Sequence, residues 1–149
     1  MKTRPARVED YDHIVALLVA SELPVDDVSV TAPIRFLIVE DSNVRIAGCI
    51  GLEMHGRDGL LRSLAVQPSL RTQGVGRALV DAVQGAAATA GVERLWLLTT
   101  TANVFFLRSG YEVADRAAAP EPIRCSPQFA SICPANAMCM TRALQRLID

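Results

Sequence analysis

The chain has no charge of one sign to spare: 15 Lys and Arg stand against 16 Asp and Glu, a formal net charge of −1. Nucleic-acid binders rest their affinity on a Lys/Arg excess that neutralises phosphates, so this balance gives no support to a nucleic-acid partner. Long hydrophobic runs are missing as well. The N-terminal stretch MKTRPARVEDYDHIV carries basic residues with no uninterrupted apolar segment behind them. That predicts neither a signal peptide nor a membrane-spanning helix, and with them a cytoplasmic protein that has no membrane partner. In that compartment four cysteines read as thiols rather than disulfides, and no C-x-x-C pair or other zinc spacing occurs. Repeats, linkers and low-complexity segments are lacking apart from a short alanine-rich patch near residue 86, so the expectation is a single domain over residues 1–149.

What is present is ordinary for a folded domain. Half the residues are hydrophobic and 21% are charged, and 149 residues can bury a substantial core without disulfide or metal staples. The pattern alternates strands and helices. After a short strand near Thr3 to Ala6, EDYDHIVALLVASELP sets Ile14, Leu17 and Leu18 at helical spacing, with Asp10 as the cap and Pro24 marking the end. RFLIVED and VRIAGCIGLEM flank the turn cluster Asp41-Ser42-Asn43, which predicts a hairpin of Phe36–Asp41 with Val44–Met54 and places Cys49 in the core. HGRDG is a second turn, and LLRSLAV a strand. A helix runs from Val75 to about Ala90 with Val75, Leu79 and Val83 on one face, stopped by Gly91. RLWLLTT reads as a buried strand, TANVFFLRSG as a short helix closed by Gly110, and Ala137–Thr141 as a final strand.

The stretch LRTQGVGRAL therefore sits between a strand and a helix N-terminus. The first amides of a helix have no intrahelical acceptor, and the macrodipole there is positive, so anions bind. Gly74 and Gly76 keep side chains away from those amides, while Arg71 and Arg77 can add charge-assisted hydrogen bonds to a pyrophosphate. The simpler reading is a turn whose glycines satisfy positive backbone angles. A Rossmann fingerprint would need a third glycine and a Walker loop a following Gly-Lys-Ser/Thr, and both are missing.

In this context SLAVQPSLRTQGVGRALV resembles the central motif of the GNAT superfamily of N-acetyltransferases, V-x-P-x-x-R-x-x-G-x-G after a hydrophobic residue. FFLRSGYE resembles the superfamily's following short helix, which ends in Gly-Tyr or Gly-Phe. LLRSLAVQP, LWLLTTTANVFFLRSGY and FASICPANAMCM together resemble the small GNAT subfamily associated with arsenic resistance. The resemblance implies an α/β (α+β) fold, a splayed mixed β-sheet of about six to seven strands flanked by about four helices. It also implies acetyl-CoA as co-substrate, no metal, a primary amine on a small molecule as acceptor, amino-acid-like arsenicals or other toxicants among them, and a homodimer.

Carried over by position, the backbone of Leu64, Ala65 and Val66 pairs with the pantetheine arm, and Leu64 polarises the thioester carbonyl. Backbone donors aimed at a developing oxyanion are worth roughly 3–4 kcal/mol each. Arg71, Thr72, Gln73, Gly74, Val75, Gly76 and Arg77 line the pyrophosphate. Phe106 occupies the place where many members carry a Tyr that protonates the leaving thiolate, and Thr99 the place of a frequent Asn. Phe106 can pack against the cofactor but has no proton to give. Tyr111 matches the aromatic after the glycine instead. A thiol of reference pKa about 8.5 is a fair leaving group without acid help.

The candidate bases are Glu53, the foremost, His55 beside it, which is also a candidate for binding the acceptor, and Asp58 in the turn after it, each set against the reading of an ordinary turn residue. Arg62 and Ser63 are candidates for binding the acceptor, an arginine there suiting a carboxylate. Strand alternation would point them to opposite sides. The alternative for Arg62 is a surface ion pair. His13 reads as surface. Cys125, Cys133 and Cys139 lie within 15 residues, and thiolates suit soft metals or trivalent arsenic, although buried cysteines are commonly small hydrophobes. Two other functions therefore stand beside acetyl transfer: a catalytically silent acyl-CoA sensor and a cysteine-based metalloid-binding protein.

Overall fold

The computed structural model describes residues 1–144. Seven strands, β1 (Lys2–Pro5), β2 (Arg35–Glu40), β3 (Ile46–His55), β4 (Asp58–Val66), β5 (Arg94–Thr99), β6 (Glu112–Val113) and β7 (Met138–Ala143), follow the sheet order β1-β2-β3-β4-β5-β7-β6. The helices are α1 (Tyr11–Ala20), α2 (Val75–Thr89), α3 (Asn103–Arg108) and α4 (Glu121–Arg124). This is the mixed α/β architecture expected. The chain divides into two compact units, Met1–Glu53 with Arg62–Ala86, and Met54–Leu61 with the chain from Ala87 on. β4 contributes to both. Among the described residues no helix is long and apolar enough to cross a membrane.

In the first unit β1, β2 and β3 pair antiparallel, Thr3 against Val39 and Ile38 against Cys49, with a register shift between Val39 and Glu40. β3 is buried along most of its length, as its apolar run requires. Ile14, Leu17 and Leu18 of α1 are buried with Phe36, Ile38 and Cys49, so the helical spacing read from the sequence is the face that meets the core. Val75, Leu79 and Val83 of α2 are likewise buried. One local detail differs. Asp10 stands before α1, but its carboxylate makes no cap bond to that helix; it accepts from the Arg7 N–H at 2.7 Å and from Arg4 Nη1 at 2.8 Å, closing the 3-10 turn Val8–Asp10.

In the second unit β4 and β5 run parallel, with Asp58, Gly59 and Leu60 opposite Arg94, Leu95 and Trp96. β7 pairs antiparallel with β5 and with β6. Gly91 and Gly110 sit at φ +94° and +90°, the left-handed conformation that ends a helix without a Cβ penalty. The core gathers Leu60, Trp96, Ala119, Ile123 and Cys139. Between β6 and β7, where the sequence shows only its Pro- and Cys-rich texture, the chain forms a 3-10 turn at Arg116–Ala118, α4, and a π-helical turn at Gln128–Ile132.

Candidate active site

After β4 the chain makes a 3-10 turn, Pro68–Leu70, and then four turn residues, Arg71–Gly74, before α2 begins at Val75. Thr72 and Gly74 both adopt positive φ, +72° and +81°. A positive φ is uncommon for a residue with a Cβ, and Thr is β-branched, so this turn is held against its local preference. The ladder of α2 opens with the Ala78 N–H on the Gly74 carbonyl at 3.0 Å, and the amides of Val75, Gly76 and Arg77 precede it. Val75 is buried and anchors the loop, whereas Arg71, Thr72, Gln73, Gly74 and Arg77 are exposed. No acidic residue occupies the first turn, so no carboxylate competes for the positive end of the helix. Arg71 Nε also donates to the Val66 carbonyl at 3.3 Å, tying the loop back to the end of β4.

The second half of β4 departs from regular strand geometry at Ser63, whose φ is +57°. The consequence is that alternation fails there. Arg62 Nε donates to Ser63 Oγ at 3.2 Å, so these consecutive side chains meet instead of pointing to opposite faces. Arg62 is no surface residue: its side chain is 0% exposed, and its guanidinium is shared between two carboxylates. Nη1 and Nη2 donate to Asp27 Oδ2 and Oδ1 at 2.5 Å each, and Nη1 also donates to Glu53 Oε2 at 2.9 Å. Burial works against the charge of Arg62, but the bonds to Asp27 and Glu53 outweigh it and hold the guanidinium above its usual range. Three of the sequence candidates, Glu53, Arg62 and Ser63, are thus brought together. Asp27 is the residue that reading missed; its only signal was a pair of acids, Asp26-Asp27, between the apolar Val25 and Val28.

The model of the acetyltransferase (GNAT) domain matches residues 32–113, from the end of the α1–β2 segment through the loop to β6. The chain belongs to this family. An uncharacterized N-acetyltransferase of Chlorobaculum tepidum is 31% identical over 91 residues, 60% of this GNAT chain and 58% of that protein. Among solved structures, the N-acetylglutamate synthase of Neisseria gonorrhoeae complexed with coenzyme A and N-acetyl-glutamate superposes with TM-score 0.82 at 25% identity, covering 97% of this chain and 35% of that one. The chain therefore spans about a third of that enzyme. The Mycobacterium tuberculosis protein Rv2747, solved with CoA, shares the fold at TM-score 0.76 and 20% identity, with 97% of this chain and 100% of that one covered.

Thr99, Phe106, Asp58, His55 and the late cysteines of this GNAT chain lie in the second unit. Thr99 Oγ1 accepts from the Ala102 N–H at 2.9 Å, which fixes the turn before α3. Phe106 on α3 is buried, edge-on to Phe105 and Tyr111 with ring centroids 5.1 and 5.3 Å away. Asp58 accepts from Trp96 Nε1 at 3.0 Å, a bond that gives a buried indole its partner. His55 is half-buried at the end of β3, and His13 is exposed. The late cysteines go separate ways: Cys125 is exposed, Cys133 Sγ donates to Gln128 Oε1 at 3.0 Å, and Cys139 is buried in the core. Among the described residues no three His, Cys, Asp or Glu side chains gather as a metal site would require.

Proposed function

We propose that the chain is one acetyltransferase domain that transfers the acetyl group of acetyl-CoA to the primary amine of a small, amino-acid-like molecule. The observation that carries this reading is the loop Arg71–Gly74: two residues of positive φ, Thr72 and Gly74, lead into an acid-free helix N-terminus with Arg71 before it and Arg77 in its first turn both exposed, the chemistry a pyrophosphate requires. Membership of the GNAT family and the coenzyme A bound by its structural neighbours support the same ligand. The backbone of Leu64, Ala65 and Val66, at the end of β4, receives the pantetheine arm.

In the reaction the neutral amine attacks the thioester carbonyl, the Leu64 amide stabilises the oxyanion, and the carbon–sulfur bond breaks to release CoA. Glu53 takes the proton the amine loses, directly or through one water, and Ser63 lines the acceptor. Arg62, already engaged with two carboxylates, holds Glu53 in place. The thiolate leaves without an acid, since Phe106 offers no proton. That last feature favours a second reading, a silent acyl-CoA sensor. N-acetylglutamate synthase directs the acceptor screen to L-glutamate, and the resemblance to arsenic-resistance proteins directs it to amino-acid-like arsenicals.

The test is calorimetric titration with acetyl-CoA of the parent, Gly74→Ala and Gly74→Glu. A Cβ at Gly74 meets nothing within 4 Å, so Gly74→Ala carries only the strain of its positive φ, and the difference between the two variants isolates the carboxylate. The expected result is binding by the parent and Gly74→Ala and loss by Gly74→Glu with the fold intact. Equal affinity in all three would remove the loop from the argument. Binding without turnover of any amine in the screen would make the protein the sensor instead.

A further inference from the structure

The Arg62 cluster contains a residue that the acetyl-transfer scheme does not use. Asp27 comes from the irregular segment between α1 and β2, not from the sheet that carries Glu53 and Arg62. Its two oxygens take one proton from each terminal nitrogen of Arg62, a bidentate pairing that fixes the plane of the guanidinium. A further bond, from Nη1, reaches Glu53, and Nε donates to Ser63 Oγ. The bidentate Asp27 fork thus sets the plane in which Nη1 meets Glu53. The partners also differ in exposure. The Glu53 side chain is 5% exposed and the Asp27 side chain 20%, so the fork is closed from its more open side by the carboxylate that belongs to no strand.

We propose that Asp27 is a positioning residue: by locking the guanidinium of Arg62 it fixes the Glu53 carboxylate in the orientation from which it receives the acceptor's proton. This rests on the reading of Glu53 as the base. An ion pair that merely tethered the segment would be felt as stability alone; a positioning role acts on turnover while acetyl-CoA binding stays as it was. Misplacing a catalytic group by about 1 Å can cost about 100-fold in rate, so a loosened fork should be visible in kcat.

The experiment has two arms, both on the full chain. In the first, proton–nitrogen NMR of the arginine side chains follows rotation of the Arg62 guanidinium in the parent, Asp27→Asn, Asp27→Glu and Glu53→Gln. Slow rotation in the parent, Asp27→Glu and Glu53→Gln, with averaging only in Asp27→Asn, is the expected result. Slow rotation kept in Asp27→Asn, or lost in Glu53→Gln alone, would overturn the assignment. In the second arm, turnover is measured with acetyl-CoA and L-glutamate as the probe acceptor. Asp27→Asn should lower kcat about 10- to 100-fold, leave KM for acetyl-CoA within about twofold, and be partly rescued by Asp27→Glu. Parent-like kcat in Asp27→Asn beside an inactive Glu53→Gln would sink this inference and leave the base in place. Parent-like kcat in Glu53→Gln would overturn the base reading itself, and with it this role for Asp27.

Discussion

Gly48 on β3 faces the backbone of Ala65 on β4 so closely that a Cβ at position 48 would stand 2.9 Å from the Ala65 carbonyl oxygen. Val75 and Leu79 of α2 close the same space at 3.0 Å, so neither strand nor helix can yield without moving the other. Gly48→Ala should lower stability by about 1–3 kcal/mol, the range for an overpacked core, read as a shift of the urea midpoint.

Ser63 supplies a second stability test, because its φ of +57° is one a β-branched residue tolerates poorly. Ser63→Val should cost about 2 kcal/mol, from backbone strain and the lost bond to Arg62 Nε. Ser63→Gly relieves the strain while losing the same bond, so its urea midpoint should lie above that of Ser63→Val.

Removing Arg62 leaves two carboxylates facing one another with no guanidinium between them. Arg62→Ala is expected to destabilise by about 3–5 kcal/mol, measured by thermal or urea unfolding. Arg62→Lys keeps the charge but not the fork, and should recover only part of that loss.

Asp10 gives the protein an acid-sensitive contact. The Arg4 guanidinium, and then the Arg7 amide, hold its carboxyl below the ordinary carboxylate range against the opposing effect of burial. A depressed value in the folded state means the contribution is present above the ordinary value of about 3.9 and is lost as pH falls through the folded one. Asp10→Asn should therefore be about 1.5–3 kcal/mol less stable than the parent at pH 7, and the gap should narrow as unfolding is followed below pH 4.

The four thiols should separate by reactivity. Burial pushes Cys49 up to about 12 and also raises Cys139, so neither supplies thiolate at neutral pH, whereas Cys125 is exposed. Brief iodoacetamide treatment followed by peptide mass spectrometry should find Cys125 modified first, and Cys49 and Cys139 only after unfolding. Fast labelling of Cys139 would contradict its place in the core.

Much of this was readable from the chain because long periodic elements carry their own signal. Ile14, Leu17 and Leu18 predict the buried face of α1, and the Asp41-Ser42-Asn43 cluster predicts the turn between β2 and β3. The loop was legible for a different reason, since Gly74 marks a backbone conformation directly. Where the reading failed, no local residue announced the feature. The irregularity at Ser63 uses no glycine, so alternation was assumed through it, and the two-residue β6 exists only because β7 lies beside it. Asp27 joins Arg62 from 35 residues away, a pairing made by tertiary structure alone.

The two outer strands of the sheet carry one more consequence. At one end β1 is four residues long and contains Lys2, Arg4 and Pro5; at the other β6 is only Glu112 and Val113. Exposed edges are templates on which a foreign strand can pair and fibrils can grow, and short edges bearing charge and proline are poor templates. Among the described residues both outer strands are thus poor templates for growth by strand addition.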